Sequence, residues 1–155
     1  MNIRIRTASR EDVTAIYAMI LELADFEQAP DKVTNTPEKM IQEYDNYRCF
    51  VAETEEDGII GMALFYIAYY TWVGKSLYLD DLYVKPAFRG KKIGTKLLNE
   101  VIKIAKNENC SRVRWQVLDW NTAALNMYRN LGAHTDSEWI NCDLTVNEIN
   151  NFPVK

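Results

Sequence analysis

The chain has 155 residues, enough for one domain with a core of its own. Its 48% hydrophobic and 26% charged residues exclude wholesale disorder, a collagen-like repeat and a disulfide scaffold. Lys and Arg number 18 against 22 Asp and Glu, so the net charge is −4. That balance disfavours general nucleic-acid binding and suits a cationic ligand better.

Three cysteines, Cys49, Cys110 and Cys142, form no metal-ligand spacing and leave one unpaired. They point to a reducing, cytoplasmic compartment and to no structural metal. The first residues alternate Ile with Arg and lack the apolar run of a signal peptide. The longest apolar stretch, Ile59 to Val73, is shorter than the roughly 18 residues of a membrane helix and reads as a buried strand.

Residues 2–7 alternate apolar and polar, which predicts a strand. Ser9 and Asp12 form a capping-box variant, and Val13, Ile16, Tyr17, Ile20, Leu23 and Ala24 give residues 10–25 a helical stripe. Asp25 to Asn35 has no periodicity and is a loop. Thr36-Pro37-Glu38 starts a short helix that ends near Tyr44. Residues 48–55 and 59–70 are strands joined through Asp57-Gly58, a hairpin signal. Gly74-Lys75 makes another turn, and Leu77 to Val84 is a third strand that Pro86 ends.

A basic loop, Arg89-Gly90-Lys91-Lys92-Ile93-Gly94, then opens a helix carrying Leu97, Leu98, Val101, Ile104 and Ala105. Arg112 to Leu118 alternates as a strand. Asn121 caps a helix to Asn130, and Gly132 stops it. The tail from Ala133 reads as a last strand with a short helix near Asn147. Three adjacent strands imply an antiparallel meander, and the strand–helix–strand after them implies a parallel crossover. The fold class is therefore α+β with a mixed sheet, not a doubly wound one.

A strand running into a glycine-containing basic turn and then a helix suits a diphosphate, because the helix start offers free amides and a partial positive charge. The loop is neither a Walker motif nor Gly-x-Gly-x-x-Gly. Together with Asn121-x-x-Ala124-x-x-x-Tyr128-x-x-x-Gly132-Ala133, it resembles the GNAT acetyltransferase superfamily. Lys92 stands where that loop ordinarily has its first glycine. Trp72-Val73-Gly74-Lys75, Leu77-Tyr78-Leu79-Asp80-Asp81-Leu82-Tyr83-Val84, Trp120-Asn121, Asn126-Met127-Tyr128 and Leu23-Ala24-Asp25-Phe26-Glu27 narrow the likeness. They resemble the spermidine/spermine and thialysine acetyltransferase branch across nearly the whole chain.

The resemblance implies one N-acetyltransferase domain over residues 1–155, acetyl-CoA as co-substrate, no metal, and a homodimer. It implies direct attack by a primary amine of a small cationic substrate in a ternary complex. The amine must first lose a proton, its pKa being about 10.4 for a lysine-like group. Asp80 matches the base position, where relatives carry Glu, and Tyr128 matches the acid that protonates the CoA thiolate. Leu82 and Val84 would line the pantetheine, while Arg89, Gly90, Lys91, Lys92, Ile93, Gly94, Asn121 and Tyr128 would hold the coenzyme. Phe26, Glu27, Trp72, Asp81 and Glu138 would form an acidic, aromatic substrate groove, since ammonium groups are drawn to carboxylates and ring faces. Consecutive residues on a strand face opposite sides, so Asp80 and Asp81 are expected to part.

A substrate bearing a carboxylate would need a cation near the groove, and the sequence places none there. His134, the sole histidine, matches no catalytic role, and no histidine is placed to activate Cys110 as an acyl carrier. Rival readings are acetylation of a protein lysine or N-terminus, and a CoA-binding regulatory module without turnover.

Overall fold

The computed structural model describes residues 2–154. The chain divides after Gln116 into two compact units. The first holds strand β1 (Arg4–Thr7), helices α1 (Val13–Phe26) and α2 (Pro37–Gln42), strands β2 (Arg48–Thr54), β3 (Gly58–Tyr70) and β4 (Gly74–Val84), helix α3 (Ile93–Asn107) and strand β5 (Arg112–Arg114). The second holds helices α4 (Thr122–Asn130) and α5 (Val146–Asn150).

The five strands form one sheet in the order β1-β2-β3-β4-β5. The first four pair antiparallel, and β5 lies parallel to β4 after the α3 crossover. This is the expected mixed sheet, with the meander and the crossover in their expected places.

Local chemistry fixes the ends of these elements. The Ser9 amide donates to Asp12 Oδ2 at 2.7 Å, and Arg6 donates to both Asp12 oxygens at 2.7 and 3.0 Å. The bidentate arginine holds the Asp12 carboxyl down at about 2. Thr36 caps α2 by accepting from the Lys39 amide at 3.2 Å, with Pro37 at the first helical position. Gly58, at φ +67°, turns the β2–β3 hairpin.

Each face of the sheet has its own apolar layer. Under α3, Ala52, Ile60, Ala63, Phe65, Leu77 and Leu79 meet Ile93, Leu97, Leu98, Val101 and Ala105. On the other face, Val13, Ile16, Met19 and Met40 cover Cys49, Val51, Met62, Leu64 and Tyr83. A Cβ on Gly61 would stand 3.0 Å from the Tyr83 carbonyl oxygen and 3.3 Å from Leu97 Cδ1, so glycine there lets α3 sit close on the sheet.

The turn expected at Gly74-Lys75 falls instead at 71–73, with Gly74 and Lys75 in β4 pairing with Tyr70 and Tyr69. Two predicted strands also differ from expectation. The strand predicted from Arg112 to Leu118 stops at Arg114, its ladder with β4 ending at Tyr78. β4 is bulged at Asp80, which bends it away from a straight partner. The strand predicted after Ala133 is absent among the described residues, where 133–145 is irregular. There Asp136 Oδ1 accepts the Glu138 amide at 2.9 Å and Thr145 caps α5, so side chains take up backbone groups locally.

Candidate active site

Ladder pairing brings the carboxylates together. Leu79 lies opposite Phe65 and Asp81 opposite Leu64, so Asp80 is an extra residue with no partner in the register. Before this bulge Leu77 and Leu79 face α3; after it, Leu82 and Val84 do. The bulge therefore shifts the side-chain alternation by one and leaves Asp80 and Asp81 both on the face away from α3. The expectation that the pair would part is corrected by this extra residue.

Glu27, just past the end of α1, joins them. Burial and the nearby Asp80 and Glu27 charges push Asp81 up to about 7. Burial raises Asp80, and burial with the Asp80 charge raises Glu27. No lysine or arginine pairs with any of the three among the described residues. Nor is any set of three His, Cys, Asp or Glu side chains among them placed to hold a metal ion. Asp81 is partly buried while Asp80 and Glu27 are exposed, and clustered carboxylates short of a counter-charge favour an incoming cation.

Beyond the carboxylates the same face is aromatic. Tyr66 and Tyr78 are cross-strand partners whose rings stack at 5.3 Å between centroids. Burial first, then the Asp80 charge, raises both phenols, Tyr78 to about 12. Tyr83 donates to Glu22 Oε2 at 2.9 Å. Arg89 stacks 5.4 Å from the centroids of both Tyr83 and Phe26, and its Nε donates to the Val84 carbonyl at 2.9 Å. Arg89 thus ties the end of β4 to the end of α1. Trp72 lies apart, at the tip of the β3–β4 hairpin and 85% exposed. Strand rise puts it roughly 20 Å along β4 from Asp80 of the same chain.

The coenzyme loop follows β4. Gly90 has φ +79° with nothing within 4 Å of where a Cβ would stand. Lys92 sits in the left-handed region at φ 60°, ψ 20°, immediately before α3. It therefore holds a glycine-type conformation at the position where the resemblance expects glycine. The amides of residues 90–95 donate to no acceptor among the described residues, and they run into the first turn of a 15-residue helix. Open space, free amides and a helix start fit a diphosphate. The Ile93 side chain is buried in the core, so what it offers a ligand is its amide. The Lys91 ammonium lies 5.5 Å from the Phe88 ring centroid.

In the second unit, Asn121 caps α4 by accepting the Ala124 amide at 3.2 Å. Tyr128 lies on α4, partly buried. Gly132, at φ +88°, ends the helix, with the Ala133 amide donating back to the Tyr128 carbonyl at 3.1 Å. Glu138 is exposed.

The sequence reading missed Tyr66, Tyr70 and Tyr78. Strand parity would have put Tyr78 on the Asp80 side, whereas Tyr66 and Tyr70 needed the register of β3 against β4. It also missed the bulge, for which the Asp-Asp pair is the only local hint.

Comparison with known proteins places the chain. The profile of the Acetyltransferase (GNAT) family matches residues 14–133. Thialysine N-epsilon-acetyltransferase of Mus musculus is 41% identical over 151 residues, covering 88% of this chain and 89% of that one. Spermidine/spermine N(1)-acetyltransferase-like protein 1 of Homo sapiens is 33% identical over 140 residues, covering 84% of this chain and 20% of that longer protein. In fold, the chain is similar to a predicted acetyltransferase with acetyl-CoA from Clostridium acetobutylicum, with a TM-score of 0.77 at 17% identity, covering 92% of this chain and 96% of that one. The chain belongs to the acetyltransferase (GNAT) family and is an acetyl-CoA-dependent N-acetyltransferase.

Proposed function

We propose that the enzyme acetylates a primary amine of a small cationic substrate, a polyamine, a diamine or a thialysine-like amino acid, by direct attack in a ternary complex. The observation that carries this reading is the bulge, which gathers Asp80 and Asp81 beside Glu27 on one tyrosine-lined face. Two of the relatives are named for small amines of this kind, which supports it further.

In this reading Asp80 takes the proton from the arriving ammonium, through water because aspartate is short. Its raised pKa brings it closer to the task. Asp81 and Glu27 hold the cationic chain, with Phe26 beside them. Tyr128 donates a proton to the departing thiolate. Leu82 and Val84 flank the pantetheine, and Arg89, Gly90, Lys91, Lys92, Ile93, Gly94 and Asn121 hold the rest of the coenzyme, mostly through backbone amides. Bound acetyl-CoA supplies the acetyl group and the leaving thiolate.

We read residues 1–155 as a single acetyltransferase domain, because the family match runs across the division after Gln116. The protein works as a homodimer: Tyr69 and Trp72, 78% and 85% exposed at the hairpin tip, favour cover by a second copy. In a dimer Trp72, like Glu138, belongs to the substrate groove. No helix among the described residues is long and apolar enough to cross a membrane. The free cysteines favour the cytoplasm.

The test is a mass-spectrometric screen of linear amines, arylamines and aminoglycosides with acetyl-CoA. Acetylated linear amines are expected, and none at all overturns the reading. Tyr128→Phe keeps the ring and should lower kcat by ~10²–10⁴-fold, with the KM for acetyl-CoA far less changed. Asp80→Asn should regain rate as pH rises and free amine accumulates. An equal loss at every pH would make Asp80 a positioning residue.

A further inference from the structure

In the unit ending at Gln116, five arginines have acceptors. Arg4 pairs with Glu53, Arg6 with Asp12 and Glu53, Arg10 with Asp45, and Arg48 with Glu108, while Arg89 donates to the Val84 carbonyl. Arg112 and Arg114 differ. Neither meets a carboxylate among the described residues, and Arg112 Nε is buried with no hydrogen-bond partner. Arg114 is exposed and Arg112 partly buried, so both forks are open to an acceptor from outside the chain.

Their position says what kind. Val113 packs toward the α3 layer, so Arg112 and Arg114 point to the opposite face, the one carrying Asp80. Both guanidiniums lie over the Tyr70 ring, at 4.3 and 5.1 Å from its centroid. One ring thus anchors both guanidiniums. Arg114 pairs in register with Tyr78, and Tyr78 feels both the Asp80 and the Arg114 charge. The face is therefore graded. Carboxylates of Glu27, Asp80 and Asp81 stand at one end, Tyr66, Tyr78 and Arg114 share the next register position, and Arg112 and then Tyr70 lie beyond it. From Asp80 to the register position of Arg114 is about 7 Å along the strand, roughly the length of an extended lysine side chain.

We propose that Arg112 and Arg114 form a carboxylate subsite, so that the preferred acceptor is an ω-amino acid. Its terminal amine lies at Asp80 and Asp81 and its α-carboxylate on the two guanidiniums. This rests on the reading above that the amine is accepted at those aspartates. It separates amino acids from diamines, which that reading leaves together. A diamine offers the arginine end a second ammonium, which the guanidiniums repel, whereas a carboxylate gives them the bidentate partner they lack.

Matched pairs differing only in the α-carboxylate test it: lysine against cadaverine, and ornithine against putrescine. With the full-length enzyme and acetyl-CoA, kcat/KM should favour each amino acid by about 10- to 100-fold, the range of a charge-assisted hydrogen bond. Arg114→Gln should collapse that ratio tenfold or more, acting mainly through the amino-acid KM, since the carboxylate is held alike before and during reaction. Arg114→Lys should keep part of the preference. Arg112→Gln should act in the same direction, with diamine turnover reporting that the variant is folded. Equal kcat/KM for both members of each pair in the wild type, or an equal loss for both in Arg114→Gln, overturns the carboxylate subsite and leaves the amine site standing. No acetylation of any of the four overturns both.

Discussion

On one face of β4, Leu77 and Leu79 are 0% and 2% exposed, packed in the apolar layer beneath α3. On the opposite face, a residue or two away, Asp81 stands partly buried and Asp80 exposed, with no lysine or arginine paired to either among the described residues. The first arrangement lowers the free energy of the fold; the second raises it, because a carboxyl loses water and gains nothing in return. Such a group is retained where a ligand supplies the missing partner. The bulge at Asp80 lets one strand do both, since it changes which residues face α3 without breaking the apolar layer.

Deleting Asp80 breaks the comparison most directly. Leu79 and Asp81 would then be consecutive opposite Phe65 and Leu64, and the ladder would become regular with every other residue on its present face. The fold should survive, with circular dichroism and Tm close to wild type. Acetyl transfer should fall ~10²–10⁴-fold, as for loss of a general base. Retained turnover would mean that the base lies elsewhere.

Leu79→Ala tests the other face. Emptying a buried leucine site costs about 2–5 kcal/mol through lost transfer energy and the cavity left behind. Urea unfolding should show that loss, while kcat per folded molecule changes less than about threefold. A large fall in kcat with little change in stability would show that the two faces are not separable.

Asp81→Asn shows the cost of the polar face. Asp81 is pushed up to about 7 from an ordinary 3.8, so between those pH values the folded protein keeps a proton that the unfolded chain releases. Stability therefore falls as pH rises through that window and is constant in this respect above it. The amide has no such charge, so Asp81→Asn should flatten the fall. Above pH 7 it should melt a few degrees higher than wild type, with no gain below pH 4. Binding of a cationic amine should release protons as Asp81 ionises, which titration calorimetry in buffers of different ionisation heat would detect.

Much of this was legible in the sequence. Helical stripes, the Asp57-Gly58 turn, the Thr36 and Asn121 caps and the Gly132 stop all stood where they were read. Each is a local signal, decided by residues within a few positions. The bulge was not legible, because it depends on register against β3 some fifteen residues away, and no Gly or Pro marks it. The arginine pair was missed for a related reason: Arg112 and Arg114 read as alternating strand residues, and only pairing with β4 shows which face they share. The predicted last strand failed because alternation alone cannot supply a ladder partner.

The smallest expected effect lies where β4 hands over to α3, the helix that covers its apolar face. Lys92 holds φ 60°, a left-handed conformation costing a side chain roughly 1–2 kcal/mol. Lys92→Gly removes that strain but frees the unfolded chain, which returns about 0.5–1 kcal/mol. The net should be a stabilisation of about 0.5 kcal/mol, a shift of a degree or two in Tm. Affinity for acetyl-CoA then separates two sources of binding. If the free amides of residues 90–95 hold the diphosphate, Kd should change less than about threefold, because glycine keeps both the amide and the turn. A tenfold loss, about 1.4 kcal/mol, would instead assign the lysine ammonium a direct place on the phosphate. That loss would shrink as salt is added, since an exposed charge pair is screened over about 10 Å at 0.1 M.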